Sequence, residues 1–266
     1  VQERTQKAWT AFWQEPGQSR CPDGAPGVWQ SLTTHWTSFA ASLSFGTRVL
    51  DVGCGAGAVG RLILAARDDV HVTGIDFARI PLVLDPQIDL LSETAMESLP
   101  FAEQDFGAAV SQFGYEYGNR DETALELARV LAPGARLSFL VHHADSGIVT
   151  GNRARLSALI GFLKPAVRTA FCAGDAPGFL AHMGTLVEHH PGDALLSELA
   201  RSLPSRLARA PRERIAIWTA IDDALAPERY LAESLNEACV DAATRDPARW
   251  RVRSLLSISG LCCSSL

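Results

Sequence analysis

Between residues 45 and 143 the apolar positions fall into short β-type runs that alternate with stretches of helical spacing. Arg48–Val52 (RVLDV) is a compact aliphatic run ending in glycines, and AVGRLILAAR behind it places Val59, Leu62, Ile63 and Ala66 on one helix face. A second run, Val70–Asp76 (VHVTGID), ends in a carboxylate. Strand, tight turn, helix and strand in tandem predict a parallel sheet. Further strands are expected at Ile88–Leu91, Phe106–Ser111 and Arg136–His142. Before the last of these, Ala124, Leu127, Ala128 and Leu131 form an i, i+3, i+4, i+7 stripe, with Asn119 or Asp121 as cap and Pro133-Gly134 as stop. That is a crossover helix. Between Asp76 and Ile88, Pro81 and Pro86 argue against a helix, so a loop or single turn is expected there.

From Thr150 onward the pattern changes to helices punctuated by proline and glycine. Leu156, Leu159, Ile160 and Leu163 form one stripe, and Leu195, Leu196 and Leu199 another. Trp218, Ile221 and Leu225, then Leu231, Leu235 and Ala238, continue the series. The expected fold class is therefore α/β: a Rossmann-like, doubly wound, mostly parallel sheet with a helical insertion after the fifth strand. Its divisions are an N-terminal helical cap (1–44), the sheet core (45–145), a helical lid or substrate region (146–245) and a closing segment (246–266). The final RWRVRSLLSISGLCCSSL reads as either strand or helix.

A length of 266 residues suits an enzyme-sized chain with a well-buried core. The formal net charge of −6 makes nucleic acid a poor partner. No apolar stretch reaches the roughly 18 residues of a membrane-spanning helix, and VQERTQKAWT has no secretory apolar region, so residence in the cytoplasm is expected. The six cysteines show no CxxC and no metal-ligand spacing, which points to reduced thiols and no metal.

The stretch most informative about chemistry is LDVGCGAGAVG at residues 50–60. Gly55, Gly57 and Gly60 satisfy G-x-G-x-x-G literally, which keeps a nicotinamide or flavin dinucleotide in view. One register upstream, Asp51 with Gly53, Gly55 and Gly57 gives acidic-x-Gly-x-Gly-x-Gly, and a carboxylate there repels a pyrophosphate but attracts an ammonium and a sulfonium. The glycines let a ligand approach the backbone, and the following helix presents its N-terminus to a carboxylate. Asp76, at the end of the second strand, stands where a carboxylate accepts both ribose hydroxyls. S-adenosyl-L-methionine meets all of these demands.

With these motifs the sequence resembles the class I S-adenosylmethionine-dependent methyltransferases of small-molecule type. The resemblance spans about residues 45–143 and includes VLDVGCGAG, GIDFA (74–78), ESLPF (97–101), VSQFGYEY (110–117) and ELARVLAPGARLSF (126–139). It implies a cofactor site built from Asp51, Gly53, Cys54, Gly55, Gly57, Asp76, Phe77, Met96, Glu97, Ser111, Gln112 and Phe113. In that scheme the glycines surround the methionine part, Asp76 holds the ribose and Phe77 packs on adenine. Gln112 and Phe113 flank the reacting methyl. Family members often place an Asp before E-x-L-P-F, where this chain has Ala95, so Met96 or Glu97 takes over the adenine edge. The family's sheet normally ends in two further strands, for which little room remains after Pro247.

Methyl transfer is an in-line displacement and needs a base only for an acceptor that arrives protonated. His142 and His143, at the end of the fifth strand, are the candidate catalytic residues, and alternation along a strand sends one of them to the pocket. His182, His189 and His190 are further candidates, and Trp9, Phe12 and Trp13 could close over the cofactor. The expected partner is a small-molecule methyl acceptor, with a homodimer left open. The alternatives are an NAD(P)-dependent oxidoreductase and an inactive cofactor-binding module.

Overall fold

The computed structural model describes residues 2–14, 27–80 and 87–239. Two compact units divide them: the residues up to Ala144 joined by Ala238 and Cys239, and Asp145–Glu237.

The first unit is built on five parallel strands, β1 (Arg48–Val52), β2 (His71–Ile75), β3 (Ile88–Leu91), β4 (Phe106–Gln112) and β5 (Leu131–Leu140). Their spatial order is β3-β2-β1-β4-β5, the doubly wound arrangement expected. The sheet is covered on both faces, which is why its central strands read as continuous aliphatic runs. Val49, Val72, Ala108 and Val110 face one side, where they pack with Trp36 and Ala40 of α2 (Val28–Ala41) and Val59 and Ile63 of α3 (Ala58–Ala66). Leu50, Val52, Ile75 and Ala109 face the other, against Leu127 and Val130 of α4 (Arg120–Val130). Gly60 is the contact glycine of α3: a Cβ there would stand 3.0 Å from Ile88 and 3.1 Å from Val72.

Three local expectations are corrected. The buried face of α4 is Thr123, Leu127 and Val130, while Leu125 points outward. The helix stops at Val130, so Leu131 opens β5, and Pro133-Gly134 sit inside an irregular stretch where the register moves from Phe106↔Leu131 to Ala108↔Arg136. Strand β5 then ends at Leu140, two residues before His142. The cap of α4 is Asn119, whose side chain accepts from the backbone N–H groups of Asp121 and Glu122 at 3.2 and 3.4 Å. The stretch 246–266 and the prolines at 81 and 86 lie outside the described residues.

The second unit holds α5 (Gly147–Phe162), α6 (Pro165–Ala173), α7 (Ala176–His189), α8 (Ala194–Ser202) and most of α9 (Pro211–Ala238), which continues through Pro227. It has its own core of Leu159, Phe162, Phe171, Phe179, Met183 and Trp218. Arg155 ties three of its helices, reaching Asp193 at 2.8 Å and Glu228 at 2.5 Å. Among the described residues no single helix is long and apolar enough to cross a membrane.

Candidate functional site

The turn after β1 carries left-handed backbone at Gly53, Gly55 and Gly57, with φ of 65°, 50° and 76°. Gly53 is obligatory for a second reason. A Cβ there would sit 2.9 Å from the Cα of Gly114, so the turns after β1 and β4 meet backbone to backbone. At Gly55 the space a side chain would need is filled by the indole of Trp13, from α1 (Gln2–Gln14). The same helix accepts a hydrogen bond from the Arg79 N–H at Thr10 and packs Trp9 edge-on against Tyr117, 4.9 Å between centroids. Thus α1 touches the residues that follow β1, β2 and β4.

Two carboxylates sit behind the turn. Asp51 is buried, and neither of its oxygens has a hydrogen-bonding partner among the described residues. Burial pushes its pKa up to about 7; the backbone N–H of Gly60, near but outside hydrogen-bonding geometry, pulls it down, and the neighbouring charge of Asp76 adds to the rise. Asp76 accepts from the backbone N–H groups of Gly55 and Ala78, both at 2.8 Å. Burial raises its pKa to about 6 against the pull of those two donors. Each carboxylate oxygen has two lone pairs, so Asp76 keeps acceptor capacity for a ligand. An orphaned buried carboxylate beside a second acid suits a cation and opposes a pyrophosphate. S-adenosylmethionine, with its ammonium and sulfonium, fits this donor set.

The remaining residues of the expected cofactor set are placed as follows. Cys54 turns its buried thiol onto Gly74 of β2, and burial together with Asp51 and Asp76 pushes the thiol's pKa well up, so it is a packing group rather than a nucleophile. Phe77 is half-buried beside Asp76. Met96 and Glu97 crowd the α-carbon of Gly118, and Glu97 accepts from the Asn119 N–H at 2.7 Å. The Ser111 hydroxyl is engaged within the protein, donating to the Val52 carbonyl at 2.7 Å and accepting from the Tyr115 N–H at 3.0 Å. Gln112 accepts from the Trp36 indole N–H at 2.6 Å. Phe113 takes a left-handed φ of 59°, unusual for an aromatic residue, and is held by a bond from its N–H to the Leu140 carbonyl at 2.8 Å.

His142 and His143 lie beyond β5, so strand alternation does not apply to them. His142 is buried and stacks on Phe113, 4.4 Å between centroids at 27°. It also bonds to Glu116, in the short 3-10 turn Tyr115–Tyr117, at 2.8 Å. His143 is half-buried. His182, His189 and His190 belong to the second unit. Sequence reasoning passed over Glu116 and Gly114. The only local hint was a charged residue set between two tyrosines, in GYEYG.

Residues 49–134 match the family described as Methyltransferase domain. The matched segment holds β1 to the start of β5 and the acidic glycine turn, so the sheet core of this chain is similar to a methyltransferase domain. Among individual proteins, the chain is 35% identical over 113 residues to an O-methyltransferase, rstn1, of Aspergillus nomiae, covering 38% of this chain and 49% of that one. It is 27% identical over 143 residues to a 2-phytyl-1,4-naphtoquinone methyltransferase of Synechocystis sp., covering 48% and 57%. The chain thus spans about half the length of these relatives. A SAM-dependent methyltransferase structure from Aquifex aeolicus aligns over 50% of this chain and 75% of its own, with a TM-score of 0.40 and 17% identity.

Proposed function

We propose that the protein is an S-adenosylmethionine-dependent methyltransferase acting on a small-molecule acceptor. The observation that carries this reading is the buried, unpartnered Asp51 carboxylate behind the glycine turn, with Asp76 beside it. A cationic cofactor relieves that arrangement and a pyrophosphate aggravates it. When bound, S-adenosylmethionine supplies a methyl group on a sulfonium, activated for in-line displacement.

The chain's own task is to bind, orient and exclude water. Gly53, Gly55 and Gly57 admit the methionine part against the backbone, and Asp76 accepts the ribose hydroxyls. Phe77, Met96 and Glu97 border the adenine, while Gln112 and Phe113 border the methionine portion. Trp13 and Trp9 on α1 provide apolar cover at the C-terminal edge of the sheet. The names of the two curated relatives, an O-methyltransferase and a naphthoquinone methyltransferase, support a small acceptor. The net charge of −6 favours such an acceptor over a nucleic acid, and the reading places the enzyme in the cytoplasm.

Calorimetric titration of the full chain with S-adenosylhomocysteine and, separately, NADH tests the reading. Saturable binding of S-adenosylhomocysteine is expected, and binding of NADH alone would overturn it in favour of an oxidoreductase.

A further inference from the structure

We infer that Gln112 selects methyl acceptors that carry a carbonyl-type oxygen, and that the buried indole of Trp36 positions its amide; the inference rests on the methyltransferase reading above. The Trp36 indole N–H donates to Oε1 of Gln112 at 2.6 Å. An indole nitrogen donates and does not accept, so the amide must turn its oxygen towards α2 and its nitrogen away. That nitrogen carries two N–H donors. None of the described residues accepts from it, and Gln112 is half-buried, so both donors are left for a ligand.

The indole is held in place from several sides. Trp36 has no exposed surface, and its ring meets His35 edge-on at 4.7 Å and Phe39 at 6.1 Å between centroids. His35 in turn bonds through Nε2 to the Ser138 hydroxyl of β5 at 2.8 Å, so consecutive residues of α2 are fastened to the neighbouring strands β4 and β5. Turning the amide over would set its NH2 against the indole N–H and leave a buried donor unpaired, which is costly. The orientation of Gln112 is thus set by the core before any ligand arrives.

The place of Gln112 in the sheet gives this clamp its use. On the proposed reading the ribose carboxylate, Asp76, follows β2 and the glycine turn follows β1, and the strand order continues to β4 and β5. That leaves the edge over β4 and β5 to the acceptor. Gln112 is the last residue of β4, opposite Leu140 of β5, and Gly114 two residues on touches the glycine turn. Strand alternation sends Ser111 to the opposite face, where its hydroxyl is engaged by Val52 and Tyr115. Gln112 therefore offers an oriented pair of donors beside the turn. Such a pair recognises the oxygen of a ketone, quinone or other carbonyl, and it gives a protonated amine N–H groups to face and no acceptor.

Three fragments of one size test this on the full chain saturated with S-adenosylhomocysteine: 1-tetralone, which has a carbonyl, tetralin, which has no polar group, and 1-aminotetralin, which is an ammonium near neutral pH. Side-chain ¹H–¹⁵N spectra, with the Gln112 amide assigned by its loss in Gln112→Met, read contact without turnover. 1-Tetralone should shift the Gln112 amide signals and bind about 2- to 10-fold more tightly than either of the others, the range for one neutral hydrogen bond. Gln112→Met, which keeps the length of the side chain, should abolish the difference between 1-tetralone and tetralin. Gln112→Glu keeps an oxygen for Trp36 and turns the outward donor into an acceptor, so the preference should pass to 1-aminotetralin. Trp36→Phe should weaken the preference for 1-tetralone with Gln112 still present. A Gln112 that merely supports the fold would reverse no preference. Equal binding of the three fragments by the wild type, an unshifted Gln112 amide, no reversal in Gln112→Glu, or full preference in a folded Trp36→Phe would overturn the proposal. Failure to bind S-adenosylhomocysteine would instead count against the methyltransferase reading.

Discussion

Replacing Gly55 with alanine should loosen the N-terminal helix, by an amount that follows from two separable terms. Gly55 has φ of 50°, and a Cβ there would lie 2.2 and 2.4 Å from two ring carbons of Trp13. The left-handed backbone costs an alanine about 1–2 kcal/mol, and the loop bears this whether or not α1 is docked. Carbon contacts relax near 3.5 Å, so the indole must retreat by about 1.3 Å or the turn must deform. Forced overpacking of this kind costs about 1–3 kcal/mol, and it is charged only to the docked state of α1. Hydrogen–deuterium exchange of the amides of residues 5–14 reads that local opening directly. At about 1.4 kcal/mol per decade, Gly55→Ala should speed their exchange roughly 5- to 100-fold. In a Trp13→Ala background the clash is gone, so adding Gly55→Ala should change exchange by less than about 2-fold. Unchanged protection of α1 in the single variant, or full additivity in the pair, would refute the packing argument.

Other expectations follow from the two buried acids and the helical unit. Asp76→Ala should weaken S-adenosylhomocysteine binding by about 2 kcal/mol, roughly 30-fold in a calorimetric Kd, because charged hydrogen bonds to a ligand are lost. The raised pKa values of Asp51 and Asp76 mean that the folded state binds more protons than the unfolded chain above the ordinary carboxylate value of 3.8. The ligand-free protein should therefore lose stability as pH rises from about 4 to about 7, and Asp51→Asn should flatten that slope in urea unfolding measured at several pH values. Asp193 caps α8 through the Leu196 N–H at 2.9 Å and also pairs with Arg155. Asp193→Ala should then cost about 2 kcal/mol in denaturant unfolding, against about 1 kcal/mol for the simple cap Asn119→Ala.

The sheet was legible in the sequence because strands buried on both faces leave uninterrupted aliphatic runs, as Arg48–Val52 and Phe106–Ser111 do. The glycine turn after β1 was legible because its signal is local: Asp51 and the glycines lie within seven consecutive residues. Helix α4 was read one position out of phase, because a buried Thr123 replaces an apolar residue on its inner face while Leu125 is 74% exposed. The end of β5 was misread because His142 belongs by pattern to an apolar run but by contact to Glu116. That partnership depends on which strands become neighbours, and no local pattern encodes it. The place of Trp13 against Gly55 was hidden for the same reason.

The contact between Gly53 and Gly114 has a consequence for how this site can change. A Cβ on either glycine would come within about 3 Å of the other's backbone, so the two turns behave as one mechanical part. Neither can shift to suit a new acceptor without displacing the other. On the proposed reading, retuning of acceptor preference therefore falls to the side chains carried around that joint, such as Phe113 and Tyr117. An engineer seeking new acceptors should vary such side chains and leave the two glycines alone.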